Sequence, residues 1–277
     1  MDVLLITFSQ TGNTRKIADA MADAFQEAGH LARTIPLNEA NPDDTTNVDL
    51  LGVGTSCFSS QSPTPMKTFL RTLPALNGQR SFVFATSSGA PGRVLYDLAS
   101  LLRGKGAEVV GGFLARGEVH HPAPHMTGQF PGRPSEEDLI RARQFAISVT
   151  EHVSMNRNGA LINNKPDALK PGLGFYDLMG TALSDKMLRL MMPEPKPDPV
   201  MCDQCGWCVD ECPMDNIRLL SAPILGDRCI RCYHCLNGCP QKAFHADWRF
   251  ADPLLRFLYN VNFMRWFGDM KPGEQIY

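Results

Sequence analysis

Val3-Leu4-Leu5-Ile6-Thr7-Phe8-Ser9-Gln10-Thr11-Gly12-Asn13-Thr14 reads as a buried strand that runs straight into a hydroxyl-rich turn. The apolar run Val3–Phe8 suits a parallel strand covered on both faces. A helical pattern follows from Arg15 to Ala28, with Ile17, Met21, Ala24 and Phe25 on one face and Gly29 as its stop. Strand, turn and helix in this order make an anion-binding arrangement. Backbone N–H groups at the helix start, with Ser and Thr hydroxyls, can cradle a phosphate. The turn has no P-loop lysine and no G-x-G-x-x-G, so both of those nucleotide folds are disfavoured. The plainer alternative is a turn that only caps its helix.

Working outward, strands are expected at Leu31–Leu37, Val48–Gly54, Ser81–Ala85 and Ala107–Leu114. Helices are expected at Pro65–Leu73 and Arg93–Leu102, and from Ser135 to about Val153. The last opens on Ser135-x-x-Asp138, a capping-box-like pattern. Regular alternation predicts an α/β fold, a doubly wound parallel five-stranded sheet. Such sheets bind ligands beyond the carboxyl ends of their strands. Three loops lie there: Ser9 to Thr14, then Thr55-Ser56-Cys57-Phe58-Ser59-Ser60, then Thr86-Ser87-Ser88-Gly89.

Over residues 1–153 these features resemble the flavodoxin family. The resemblance implies FMN, with Ser9, Gln10, Thr11, Gly12, Asn13 and Thr14 around its phosphate. It further implies that Thr55, Ser56, Cys57, Phe58 and Ser59 flank the isoalloxazine, with Phe58 where the family often stacks an aromatic. Thr86, Ser87, Ser88 and Gly89 would cover the other side through backbone groups. One loop lacks the tyrosine usual in that family, which implies an open flavin face for a partner to approach. Phe58 packed into its own domain is the alternative. Cys57, remote from the other cysteines, reads by default as a small packing residue.

The second decisive stretch is Cys202 to Pro240, where C-x2-C-x2-C-x3-C-P occurs twice. Eight of the nine cysteines lie here: Cys202, Cys205, Cys208 and Cys212, then Cys229, Cys232, Cys235 and Cys239. Three thiolates two residues apart, on a loop that curls around a cube, can reach three irons of one [4Fe–4S] cluster. The fourth starts the next short helix and points the other way. Paired zinc sites are the alternative, since C-x2-C is also a zinc spacing, but zinc needs neither the third step nor the proline. From Val200 to about His245 the chain resembles bacterial two-cluster ferredoxins at every ligand position. In that family the fourth cysteine serves the opposite cluster. This assigns one [4Fe–4S] cluster to Cys202, Cys205, Cys208 and Cys239, and the second to Cys229, Cys232, Cys235 and Cys212. Arg228 and Arg231 bracket Cys229; they would raise the potential of the nearby cluster, or simply be solvated surface charges. Trp207 and Tyr233, each inside a C-x2-C step, are expected to shield the clusters from water.

Four segments are expected: 1–154 flavodoxin-like, 155–199 a linker with one helix, 200–245 ferredoxin-like, and 246–277 an amphipathic tail. The linker helix is placed at Phe175–Met192, with an extended stretch over Pro193–Pro199. A small hairpin is expected over Ile217–Leu225. In the tail, Leu254, Phe257, Leu258, Val261 and Met264 fall at helical spacing and are expected to dock on the flavodoxin-like domain. A membrane-surface helix is disfavoured because the polar face lacks a basic excess. His120, His121 and His125 crowd a proline-rich stretch after the fifth strand; a metal or proton-transfer role is conceivable, but no carboxylate pattern completes a site, so they read as loop histidines.

At 277 residues the chain is long enough for two cores. A hydrophobic content of 43% and net charge of −2 point to no nucleic acid or membrane phosphate. The start lacks the pattern of a signal peptide, so a cytoplasmic, reducing setting is expected. The whole resembles flavodoxin–ferredoxin fusion proteins, also called EFR-type ferredoxins. That resemblance implies a carrier moving electrons between FMN and two clusters, to or from a redox partner protein. The rival reading is a flavin-dependent reductase acting on a small substrate. No catalytic nucleophile–base pair and no nicotinamide fingerprint is found. A redox-sensing role is the weaker third class.

Overall fold

The computed structural model describes residues 1–89, 91–155 and 181–258, without the side chain of Leu258. Five parallel strands form the main sheet: β1 (Asp2–Phe8), β2 (Leu31–Pro36), β3 (Leu50–Ser56), β4 (Arg80–Ser87) and β5 (Glu108–Arg116). Their spatial order is β2-β1-β3-β4-β5. Reversal of direction between β1 and β3 creates the switch point, so the ends of these two strands frame a ligand crevice. Helices α1 (Asn13–Glu27), α2 (Thr64–Thr72), α3 (Val94–Gly104) and α4 (Glu136–Met155) complete the layers.

The burial pattern explains the parallel arrangement. Val3, Leu5, Phe82 and Phe84 pack with Ile17, Met21 and Phe25 of α1 and Phe145 of α4. Leu4, Ile6, Val53 and Val83 pack with Met66 and Leu70 of α2 and Leu98 and Leu102 of α3. Alternate residues of each strand thus serve two cores, which is why the central strands are continuously apolar. Asp138 accepts from the Ser135 N–H at 2.8 Å at the start of α4, as the capping pattern led one to expect.

The described residues divide into two compact units. The first holds Met1–Glu118 and Phe130 through α4; the second holds Val119–Gln129 and the chain from Ala182 onward. Eleven residues following β5 leave the sheet unit and join the cysteine-rich one, because their contacts are made there. Asn237 Nδ2 donates to the His120 carbonyl at 2.8 Å. The His121 ring lies 5.3 Å from that of Tyr233 and 5.2 Å from that of Trp248. His125 Nδ1 and Asp252 Oδ1 are 2.5 Å apart. His121 thus packs among aromatic rings, and the carboxylate beside His125 comes from a distant segment.

In the second unit the continuous helix expected over Phe175–Met192 is interrupted. Residues up to 180 lie outside the described part. Leu183 and Ser184 are not helical, and Ser184 caps a new helix, α5 (Asp185–Met191), accepting from the Met187 N–H. A serine that satisfies an orphan helix-start donor marks a boundary that apolar periodicity alone does not reveal. After it, β6 (Lys196–Pro197) pairs antiparallel with β9 (Phe244–His245), and β7 (Ile217–Leu219) with β8 (Pro223–Leu225) in the expected hairpin. Short helices α6 (Trp207–Asp210) and α7 (His234–Gly238) follow the cysteine loops. The described part of the tail is α8 (Ala251–Leu258), within the second unit. Leu254 and Phe257 are exposed there, whereas Ala251 is buried. The rest of the expected stripe, the Leu258 side chain, Val261 and Met264, lies outside the described part.

Candidate cofactor sites

At the carboxyl end of β1, the turn enters α1 through Gly12 at φ +89°, a left-handed conformation that favours glycine. The Arg15 N–H donates to Ser9 Oγ at 3.2 Å, and the Lys16 N–H to the Gly12 carbonyl at 3.0 Å. The N–H groups of Gly12, Asn13 and Thr14 find no acceptor among the described residues. These are the orphan donors of a helix start. Asn13 anchors the turn by donating from its side chain to the Glu118 carbonyl at 3.0 Å. Thr14 also serves the domain interior. It is fully buried, and its hydroxyl pairs with Thr86 at 2.8 Å. The two hydroxyls carry two protons and use one between them, so one donor remains for a third group.

The loop after β3 is a two-residue turn. Phe58 and Gln61 exchange both backbone hydrogen bonds, at 2.9 and 3.0 Å, across Ser59 and Ser60. Both serines have positive φ, 47° and 64°, a strained conformation of the kind that clusters at ligand clamps. The Phe58 ring packs edge-on against Phe8 with centroids 6.0 Å apart, so it is tied to its own domain. Cys57 is half-buried and donates to the Pro91 carbonyl; burial pushes its thiol up to about 12. In the third loop the Ser87 hydroxyl donates to the Gly89 carbonyl at 2.8 Å, which folds the turn beyond β4 back on itself.

Two buried side-chain atoms in these loops have no partner among the described residues: the Gln10 amide nitrogen and the Ser56 hydroxyl. Buried polar atoms are normally satisfied, so a polar ligand is the natural complement. Orphan N–H groups on α1 and orphan polar atoms on the β1 and β3 loops together fit a phosphate with an adjoining polar head.

The family model described as a flavodoxin domain matches residues 4–114. Those residues form a flavodoxin-like domain. A flavodoxin of Clostridium beijerinckii is 26% identical over 109 residues, which is 38% of this chain and 79% of that protein. Among solved structures, a flavodoxin from the domain Archaea superposes with a TM-score of 0.45 at 22% identity, covering 56% of this chain and 99% of its own. Flavodoxin 1 from Bacillus cereus gives 0.44 at 19%, with coverage of 55% and 99%.

The cysteine-rich unit has an internal repeat in its backbone. Gln204 and Arg231, Gly206 and Tyr233, and Asp215 and Lys242 occupy equivalent places in the two cysteine runs, and all six have positive φ. Left-handed residues are uncommon outside glycine. Their recurrence wraps both loops identically and turns N–H groups toward sulfur. The Gln204 N–H donates to Cys202 Sγ, the Asn216 N–H to Cys212 Sγ and the Ala243 N–H to Cys239 Sγ, each at 3.4 Å.

The eight thiols sort into two cavities. Cys202, Cys205, Cys208 and Cys239 line one, with an empty volume of about 310 Å3 that is partly open to solvent. Cys212, Cys229, Cys232 and Cys235 line the other, of about 370 Å3. Each fourth cysteine thus joins the set of the other repeat. Among the described residues no three His, Cys, Asp or Glu side chains gather closely enough to hold a single metal ion. Burial, with crowding by Cys239, Cys202 and Cys205, pushes the Cys208 thiol up to about 11. Cys235 is pushed up by burial and by its three partners, Cys232, Cys229 and Cys212, as well as by Cys208. Four thiolates so placed repel one another, and a bound cationic group would offset that cost.

The walls are apolar and closely fitted. A side chain at Gly238 would meet the Trp207 ring at 1.9 Å, so glycine is required for the indole to lie over α7. Tyr233 is buried, and its hydroxyl donates to the Pro193 carbonyl at 2.7 Å. Asn216 ties the hairpin to the second run, donating to the Gly226 carbonyl and accepting from the Arg228 N–H, both at 3.0 Å. Sequence reading missed Asn216 and Glu194. The first carries no local signal, and the second meets Arg231 across 37 residues.

Proposed function

We propose that this chain is an electron carrier that binds FMN on its flavodoxin-like domain and two [4Fe–4S] clusters in its cysteine-rich unit, and exchanges electrons with a redox partner protein. The observation that carries this is the sorting of eight cysteines into two crossed sets of four, each lining its own pocket. A single zinc ion would draw its sulfurs to about 2.3 Å from one point. Cys202, Cys205, Cys208 and Cys239 would hold one cluster, and Cys212, Cys229, Cys232 and Cys235 the other. The Gly12–Thr14 amides, Gln10 and the Thr14–Thr86 pair would hold the phosphate end of FMN, with the Ser56 hydroxyl beside it. When bound, the flavin supplies two-electron or one-electron exchange and each cluster supplies one electron. The residues supply placement, exclusion of water by Trp207 and Tyr233, and hydrogen bonds to sulfur that tune potential.

None of the nine cysteines forms a disulfide, which supports operation in a reducing compartment such as the cytoplasm. No described helix is long and apolar enough to cross a membrane. Anaerobic purification tests the proposal: about eight irons, eight acid-labile sulfides and one FMN are expected per chain. Zinc in place of iron overturns it. Rapid reduction by nicotinamide nucleotides without a partner protein would favour the flavin-dependent reductase instead.

A further inference from the structure

Arg231 stands apart from the other arginines of the second unit. Its side chain is only 9% exposed, and it forms an ion pair with Glu194 at 3.1 Å, whose side chain is 47% exposed. In sequence Arg231 lies between the proposed ligands Cys229 and Cys232, and the nearby Cys229 sulfur helps raise its pKa. Its Nε is buried and has no acceptor among the described residues. Arg228, by contrast, is exposed and donates to the Asp215 carbonyl at 3.0 Å. The only charged residue lining the first cavity is Asp203, which receives the Cys205 N–H and the Gln241 amide. His234, which lines the second cavity, lies 3.6 Å from Glu211.

We infer that Arg231 and Glu194 form a charge pair that sets the reduction potential of the cluster held by Cys212, Cys229, Cys232 and Cys235, independently of the first. This inference rests on the cluster assignment proposed above. Reduction adds one negative charge to a cluster, and a buried guanidinium carried between two of its ligands in sequence stabilises that charge. Burial keeps the interaction from being screened, whereas Glu194, half in water, opposes it only in part. Pro193 and Pro195 belong to the same arm: the Pro193 carbonyl accepts from Tyr233 and Pro195 lines the cavity, so the arm also fixes where Glu194 lies. Arg231 and Glu194 are therefore positioning residues that act through the cluster and not on a substrate.

The test is an EPR-monitored redox titration of anaerobic full-length protein, with the two signals assigned by Cys202→Ser and Cys229→Ser variants. Arg231→Gln should lower the midpoint of the second cluster by about 59 mV or more, at least a tenfold fall in its reduced-to-oxidised ratio at fixed potential. The first cluster should not move. Arg231→Lys should recover part of the shift, keeping the charge while losing the planar fork. Glu194→Gln should move the second cluster the other way, and at its half-exposed position it leaves the fold intact if Arg231→Gln does not assemble. Eight irons present with unchanged potentials in Arg231→Gln and Glu194→Gln, or equal shifts in both clusters, would overturn the inference alone. Absence of iron from the wild type would overturn the cluster assignment, and the inference with it.

Discussion

Thr14 Oγ1 and Thr86 Oγ1 share a hydrogen bond of 2.8 Å in the interior of the flavodoxin-like domain. It joins the first turn of α1 to the end of β4, and so fixes the phosphate-side turn to the sheet. Thr14→Ala leaves the Thr86 hydroxyl buried without its partner. A stability loss of about 1–3 kcal/mol is expected, and Thr14→Ser should restore most of it. Urea denaturation of the FMN-free protein measures this. Equal stability of Thr14→Ala and wild type would mean the pair is not formed.

Gln10 should behave in the opposite way. Its amide nitrogen is buried without a partner, so Gln10→Leu removes an unsatisfied donor and should leave the FMN-free protein as stable as before, or slightly more so. FMN affinity should fall by roughly 10- to 100-fold, the size of one lost hydrogen bond to a charged acceptor. Fluorescence titration with FMN gives the ratio. An unchanged affinity would show that this turn only caps α1.

Cys212 lies in the first cysteine run but lines the cavity of the second. Cys212→Ala should therefore remove or convert the cluster shared with Cys229, Cys232 and Cys235, and spare the one shared by Cys202, Cys205, Cys208 and Cys239. Mössbauer and EPR spectra compared with Cys229→Ala and Cys202→Ala decide it. Resemblance to the Cys202→Ala spectrum would reverse the assignment.

The second unit should be acid-sensitive through His121. Desolvation and the nearby His125 lower its pKa to about 4, and its Nδ1 accepts from the Ala123 N–H at 3.3 Å, which requires the neutral ring. The unfolded chain binds the proton nearer the ordinary value of about 6.5. Between those values the unfolded state carries more protons, so the stabilising contribution is complete above about pH 6.5 and is lost as pH falls toward 4. His121→Gln should flatten this part of the profile. Loss of Trp fluorescence structure with pH, compared between wild type and variant, is the measurement; identical slopes would remove His121 as the cause.

Much of the site was legible because its chemistry is local. The hydroxyl turn from Ser9 to Thr14 and the spacing of the eight cysteines are written within a few residues of one another. A loop of that length can adopt few shapes that satisfy its backbone, so residue types nearly fix its use. Strand and helix alternation was legible for the same reason: the apolar runs of β1, β3 and β4 report burial on both faces without any partner being known. Boundaries shifted by a residue or more where a single cap decided them, as at Ser184.

Other features depend on which distant surfaces meet, and no periodicity encodes that. The strand order and the pairing of Thr14 with Thr86 belong here. So do the transfer of Val119–Gln129 to the cysteine-rich unit, the contact of His125 with Asp252 and the placing of Glu194 beside Arg231. Sequence by itself determined which groups this protein can offer to a flavin and to metal. Only the tertiary structure decided which of them pair with one another, as the Thr14 and Thr86 hydroxyls do, and which keep an unpartnered atom among the described residues, as Gln10 does. Burial removes water as the default partner, so each polar group's role follows from the neighbour that packing supplies.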